Sequence, residues 1–207
     1  MSVFNTDFLY LKRAVDSVLN QDFQDFELII IDDGSTHSSR NLILEYAEKY
    51  EDKIVYIRHS NRGQSRSIRR GIINSIGEFI TIIDGDDAYK PEHLSACLQQ
   101  MQSADLIASA TETVVDSHED YYVPDKNDLT QLIHVDDCTL FATLFGRREV
   151  FTSIDFKNNY AADAEFYAIA KTQFRVKKVE LRTYVYYRNM PNSICSIIKK
   201  QNLAVLD

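Results

Sequence analysis

Residues 26–36 read FELIIIDDGST, an apolar run of one strand's length that is stopped by two aspartates and a Gly-Ser turn. A strand with one wet face alternates apolar and polar residues. An unbroken run therefore points to a strand covered on both faces, as in a parallel sheet between helical layers. The flanks agree with this. Upstream, Leu11, Val15, Val18 and Leu19 follow the i, i+4, i+7, i+8 spacing of one helix face. Downstream, Leu42, Tyr46 and Tyr50 form a second helical stripe with Ile43 and Ala47 beside it. KIVYIR (53–58) reads as the next strand, Ile68, Ile72 and Ile76 as a helix face, and EFITII (78–83) as a further strand. Pro91 then opens a helix that buries Leu94, Cys97, Leu98 and Met101. Strand–helix alternation of this kind predicts an α/β fold whose sheet is mainly parallel and flanked by helices.

After Ser103 the rhythm changes. DLIAS and TETVVD (105–116) read as consecutive strands, and 117–137 is polar, irregular and acidic. TLFATLFGRREVF follows, then a helix in YAADAEFYAIAKTQF with Ala162, Phe166, Ile169 and Ala170 on one face, and finally the strand-like VKKVELRTYVYYR. No linker or repeat divides the chain. It reads as one domain, 1–207, with halves 1–104 and 105–207 and a smaller antiparallel part in the second.

Composition narrows the function. Apolar residues make up 44% and charged residues 26% of the 207, which suits a globular domain with a sizeable core. No apolar run approaches the roughly 18 residues of a membrane span, and the first residues do not read as a signal sequence. The expected location is the cytoplasm, with peripheral attachment to the inner membrane face left open. A net charge of −8 argues against nucleic acid as the main partner. Cys97, Cys138 and Cys195 fit neither a zinc spacing nor a disulfide framework, so reduced thiols are expected. His37, His59, His93, His118 and His134 are scattered and read as surface residues.

The chemistry is concentrated in ITIIDGDDAYKPEHL (80–94), where Asp84, Asp86 and Asp87 crowd the end of a strand. Ligands of open α/β sheets bind beyond the carboxyl ends of strands, and Asp32-Asp33 ends another. Asp84 and Asp86 share one face of an extended segment. They can therefore approach one hard cation, Mg2+ or Mn2+, whose shell is completed by water and phosphate. GQSRSIRRG (63–71) offers Arg66 and Arg69 to help neutralise a diphosphate. Asp and Gly also form ordinary turns, so neither acidic stretch is specific alone. Two acidic strand ends followed by an arginine-rich segment favour the metal–diphosphate reading.

LKRAVDSVLNQDFQDFELIIIDDGST (11–36), NRGQSRSIRRGIINSIGEFITIIDGDDAYKPEHL (61–94) and YAADAEFYAIAKTQF (160–174) together closely resemble family two of the glycosyltransferases, which have the GT-A fold. The resemblance runs from Ser2 to about Ser196. It implies an inverting hexosyl- or N-acetylhexosaminyl-transferase that moves a sugar from a nucleotide-sugar, UDP-linked by expectation, to a carbohydrate or lipid-linked acceptor in cell-surface polysaccharide synthesis. The 1–104 half would bind the donor and the 105–207 half the acceptor. By the same resemblance Ser2, Phe4, Asn5, Asp33, Arg66, Arg69, Asp84 and Gly85 face the nucleotide-sugar. Asp84 and Asp86 hold Mn2+ or Mg2+, and Asp163 is the general base. Without the resemblance, Asp163 reads as a helix-starting aspartate favoured by the helix dipole. The chain departs from the pattern in three places. Family members carry a strand ahead of the position of Ser2, a tyrosine where Phe4 stands, and a histidine in the segment that here reads YYRNMPNSIC (186–195). The alternatives are a nucleotide-sugar-binding fragment without turnover, or a Mg2+-binding receiver module.

Overall fold

The computed structural model describes residues 1–36, 39–125, 128–157 and 161–189. The first half runs β1 (Ser2–Val3), α1 (Phe8–Leu19), β2 (Leu28–Asp32), α2 (Ser39–Lys49), β3 (Ile54–Arg58), α3 (Gln64–Asn74), β4 (Phe79–Thr81), β5 (Ala88–Tyr89) and α4 (His93–Gln100). The second half adds β6 (Leu106–Val114), β7 (Tyr122–Pro124), β8 (Leu132–His134), β9 (Leu144–Arg147), α5 (Arg148–Ser153), α6 (Ala162–Gln173) and β10 (Val176–Tyr187).

The decisive apolar run behaves as its sequence demands. All five residues of β2 are buried, and β2 lies parallel to both β1 and β3 in a sheet of order β1-β2-β3. Leu28 and Ile30 join Leu11, Val15 and Val18 of α1 and Leu42 and Ile43 of α2 in one buried cluster. A second cluster packs Ile68 and Ile72 of α3, Val150 and Phe151 of α5, and Phe166 and Ala170 of α6 on Ile80, Leu106 and Leu144.

The second sheet, β4-β9-β6-β10-β5, is mixed and carries the antiparallel part expected beside the parallel β1-β2-β3 unit. Only β6 and β10 run parallel in it, and the other three pairings are antiparallel. The connection through β9 is the cause: β9 returns between β4 and β6 and pairs antiparallel with both. DLIAS and TETVVD are one nine-residue strand, β6, because no turn-forming residue separates them and β10 covers their full length. Within the irregular acidic region, β7 and β8 form a short antiparallel pair. β10 carries a register shift between Val179 and Tyr184. There Arg182 takes φ 48 and forks onto Asp136 at 2.9 and 3.2 Å. Such a bulge re-aims the residues that follow it.

Two local expectations also change. α3 stops at Asn74 and Ile76 is 89% exposed. Glu27 Oε1 accepts the N–H groups of Ile76 (2.6 Å) and Gly77 (3.0 Å), which draws the backbone out of the helix. His93 is a core residue at 2% exposure: its ring stacks on Tyr89 at 3.9 Å and its Nδ1 meets Thr183 Oγ1 at 2.7 Å. Burial lowers its pKa to about 3. The His59 side chain is likewise enclosed, at 5% exposure beside Asp33. Both histidines were expected at the surface, but side-chain partners distant in sequence bury them. His37 and Cys195 lie outside the described residues. Cys97 is buried and Cys138 half-buried, both as free thiols. No described helix is long and apolar enough to cross a membrane.

Candidate active site

β1 aligns Ser2 with Ile31 and Val3 with Asp32, and Ser2 also makes an isolated parallel bridge to Asp84. The carboxyl ends of β1, β2 and the segment after β4 therefore open side by side, which brings residues 4–6, 33–36 and 84–87 to one crevice. Two glycines allow this approach. Gly34 has φ +81, and a Cβ there would lie 2.7 Å from the Asn61 nitrogen. At Gly85 a Cβ would lie 3.0 Å from Val3 Cγ1 and 3.3 Å from Thr6 Oγ1.

The Asp32-Asp33 pair is fully enclosed. Asp32 accepts from the Ser35 N–H (2.7 Å), Tyr56 Oη (2.8 Å) and Arg58 Nε (3.2 Å). Burial raises its pKa, but the hydrogen bonds from Ser35 and Tyr56 and the Arg58 charge outweigh burial and lower it overall. Asp33 accepts the N–H groups of Arg62 (2.7 Å) and Gly63 (2.9 Å), pinning the turn that leads into α3. Asn5, at φ 49, donates its N–H to Ser35 Oγ (3.0 Å) and accepts from the Thr36 N–H (2.9 Å). Phe4 beside it is 50% exposed.

The aspartates of the 84–87 turn have divided tasks. Asp87 is 1% exposed, accepting from Tyr184 Oη at 2.6 Å and the Tyr187 N–H at 2.8 Å. It is an anchor between the turn and the end of β10. Asp84 accepts from Gln64 Nε2 at 2.8 Å, while its N–H donates to Tyr184 Oη at 3.3 Å. Burial, reinforced by the neighbouring Asp86 charge, raises the Asp84 pKa to about 7. Burial also raises Asp86, against the opposing effect of Arg13. Arg13 of α1 donates Nη2 to the Asp86 carbonyl oxygen and lies 3.4 Å over the Tyr187 ring.

Asp163 comes from the other half of the chain. It stands in the first turn of α6, just after Ala161 in the left-handed region at φ 60, and accepts from the Ala164 N–H at 2.8 Å. It lines a cavity of about 730 Å³ with Val123, Leu140, Tyr167, Lys171 and Tyr186. Its charge is near enough to Asp84 to raise that carboxyl. Two residues from Gln64, Arg66 is exposed on α3, whereas Arg69 is turned to Asp155 at 2.5 Å. Arg13, Gln64, Tyr184 and Tyr187 were not singled out as site residues from sequence. Gln64 lay inside the arginine-rich stretch, but the others touch the turn only through tertiary contacts.

Among the described residues, no group of three or more His, Cys, Asp or Glu forms a metal cage. The donor set still fits a hard divalent cation. Asp84 and Asp86 are crowded carboxylates whose ionisation burial opposes, and Mg2+ or Mn2+ sites commonly use one or two carboxylates with water and phosphate.

The family model described as Glycosyl transferase family 2 matches residues 1–157. The chain belongs to glycosyl transferase family 2. An uncharacterized glycosyltransferase of Nostoc is 39% identical over 98 residues, 47% of this chain and 30% of that protein. Staphylococcus aureus TarS 1–349, solved with UDP-GlcNAc, superposes with a TM-score of 0.71 at 19% identity, covering 95% of this chain and 59% of that one. The Pyrobaculum calidifontis mannosyltransferase PcManGT, solved with GDP-Man and Mn2+, gives 0.71 at 15% identity, covering 100% of this chain and 63% of that one. These similarities establish the GT-A fold. The chain spans less than two thirds of each of these three proteins.

Proposed function

We propose that this family 2 chain transfers a sugar, with inversion, from a UDP-linked donor to a hydroxyl of a carbohydrate or lipid-linked acceptor. The observation that carries the reading is the convergence of Asp84 and Asp86 from one half with Asp163 from the other, close enough for Asp163 to act on Asp84. Asp84 and Asp86 would hold the cation, with Gln64 and Arg13 fixing their turn. Mn2+ or Mg2+, when bound, supplies charge stabilisation to the departing diphosphate. Asp163 takes the acceptor hydroxyl proton as that oxygen bonds to the anomeric carbon and the carbon–phosphate-oxygen bond breaks on the opposite face. Ser2, Phe4, Asn5, Asp33 and Gly85 then belong to the wall of the donor crevice, with Arg66 the better-placed arginine because Arg69 is paired with Asp155. The large cavity beside Asp163, with Tyr167 and Tyr186 in its wall, is the acceptor side. The UDP preference and the cell-surface polysaccharide role rest on resemblance. The match to family 2 over 1–157 removes the reason for a receiver module.

The test is Asp163→Asn, assayed for Mn2+-dependent UDP release from a panel of UDP-sugars and, separately, for UDP binding. Removing a general base is expected to lower turnover by roughly 10²-fold or more, with UDP affinity changed less than about threefold. Unchanged turnover would remove Asp163 from the chemistry. Metal-independent UDP binding would count against the role of Asp84 and Asp86.

A further inference from the structure

Residues 53–77 carry Lys53, Arg58, Arg62, Arg66, Arg69 and Arg70 and not one aspartate or glutamate, although the whole chain has a net charge of −8. Three of these cations are turned to partners: Lys53 to Gln24, Arg58 to Asp32 and Arg69 to Asp155. Arg62, Arg66 and Arg70 are exposed and pair with no carboxylate among the described residues.

The helix α3 displays most of them. Its inner face buries Ser65, Ile68 and Ile72. Positions 66, 69, 70 and 73, related by i, i+3, i+4 and i+7, therefore form one outer face. Arg66, Arg69 and Arg70 are exposed on it, and Ile73 is 60% exposed at its far end. Three residues on, Ile76 is 89% exposed, its N–H held by Glu27. Exposed apolar residues scattered singly are ordinary, but two isoleucines at the end of an arginine stripe make an amphipathic surface. The Arg69–Asp155 pair does not cancel the stripe, because an ion pair between two exposed side chains is screened and weak.

We infer that the outer face of α3 is a docking surface for a membrane rich in anionic phospholipid. Its arginines meet headgroup phosphates, and Ile73 and Ile76 enter the boundary of the acyl region. A bilayer fits both parts of the surface: clustered basic residues are drawn to an anionic leaflet, and apolar side chains beside them gain by leaving water at the interface. An acidic peptide or a free polyanion matches the arginines alone. The acidic remainder of the molecule is repelled by the same leaflet, so charge also selects the orientation. α3 begins at the crevice, where Gln64 donates to Asp84 at 2.8 Å. Docking by α3 thus brings the crevice near the membrane. This favours the lipid-linked class among the proposed acceptors, a consequence that rests on the transfer reading, whereas docking itself does not.

The experiment floats the full chain with phosphatidylcholine vesicles made with and without phosphatidylglycerol, at low and at high salt. Binding is expected only with phosphatidylglycerol and should weaken as salt rises. Arg70→Gln should lower it roughly fivefold, and Ile73→Gln combined with Ile76→Gln about tenfold. Lys49→Gln, the same loss of charge from the exposed surface of α2, should leave it unchanged. All four positions are exposed, so Tm and vesicle-free UDP binding should match wild type in every variant, which separates a failure of docking from a failure of the donor site. No binding to phosphatidylglycerol vesicles, or equal weakening by Arg70→Gln and Lys49→Gln, would overturn the inference. If the isoleucine variant bound as tightly as wild type and free polyphosphate displaced the vesicles, the surface would be a polyanion site and the lipid assignment would fall.

Discussion

The aspartates of one acidic turn need not share one environment. Asp84 is held by Gln64 and pushed to about 7 by burial and by Asp86, whereas Asp87, one residue beyond the pair, is spent on Tyr184 and Tyr187. A carboxyl with a raised pKa must lose its proton before it binds a cation. Mn2+ binding should therefore strengthen as pH rises through 7, by roughly tenfold between pH 6 and 8 for one such group. Isothermal titration at both pH values reads this directly, and Asp84→Asn should remove most of the dependence along with the tight binding. The crowding of Asp84, Asp86 and Asp87 was visible as letters. Their division into ligand candidates and anchor was not, because it depends on residues about 100 positions away on β10.

At the scale of elements, the site is a junction of α1, the 84–87 turn and the end of β10. Arg13 stitches them, donating to the Asp86 carbonyl while stacking on Tyr187, whose own N–H holds Asp87. The residue sits on a helix whose apolar face the sequence shows plainly, but its polar face carries no signal of what it will meet. Arg13→Ala should leave α1 folded, since Leu11, Ala14, Val15 and Val18 supply its buried face. Losing one charge-assisted hydrogen bond, on the order of 1.5–3 kcal/mol, should raise the Mn2+ concentration needed for half-saturation about tenfold or more. Arg13→Lys should recover little, since an ammonium lacks the planar stacking surface. An Arg13→Ala protein with unaltered Mn2+ binding would mean that the turn is held by Asp87 alone.

For the whole molecule, stability against acid reports how the halves are joined. His93 is buried between α4, β5 and β10, stacked on Tyr89 and hydrogen-bonded to Thr183. Its pKa falls from 6.5 to about 3 on folding. The unfolded chain then binds the extra proton first, so stability is lost as pH falls below about 6.5 and through the folded value. The slope approaches about 1.4 kcal/mol per pH unit. The raised carboxyls of Asp84 and Asp87 act with opposite sign, because the folded state holds their protons longer. The difference between wild type and His93→Gln therefore isolates the histidine. Urea midpoints from pH 7 to pH 4 should fall less steeply in the variant, even if it starts lower; parallel curves would show that His93 does not carry the slope. The sequence alone determined strands β2 and β3, the helices beside them and the acidic end of β2, because periodicity and apolar runs are local. Only the tertiary structure decided that β9 returns between β4 and β6, that Asp163 approaches Asp84 and that His93 is core. Those facts depend on which distant segments pack together, and no local pattern encodes that packing.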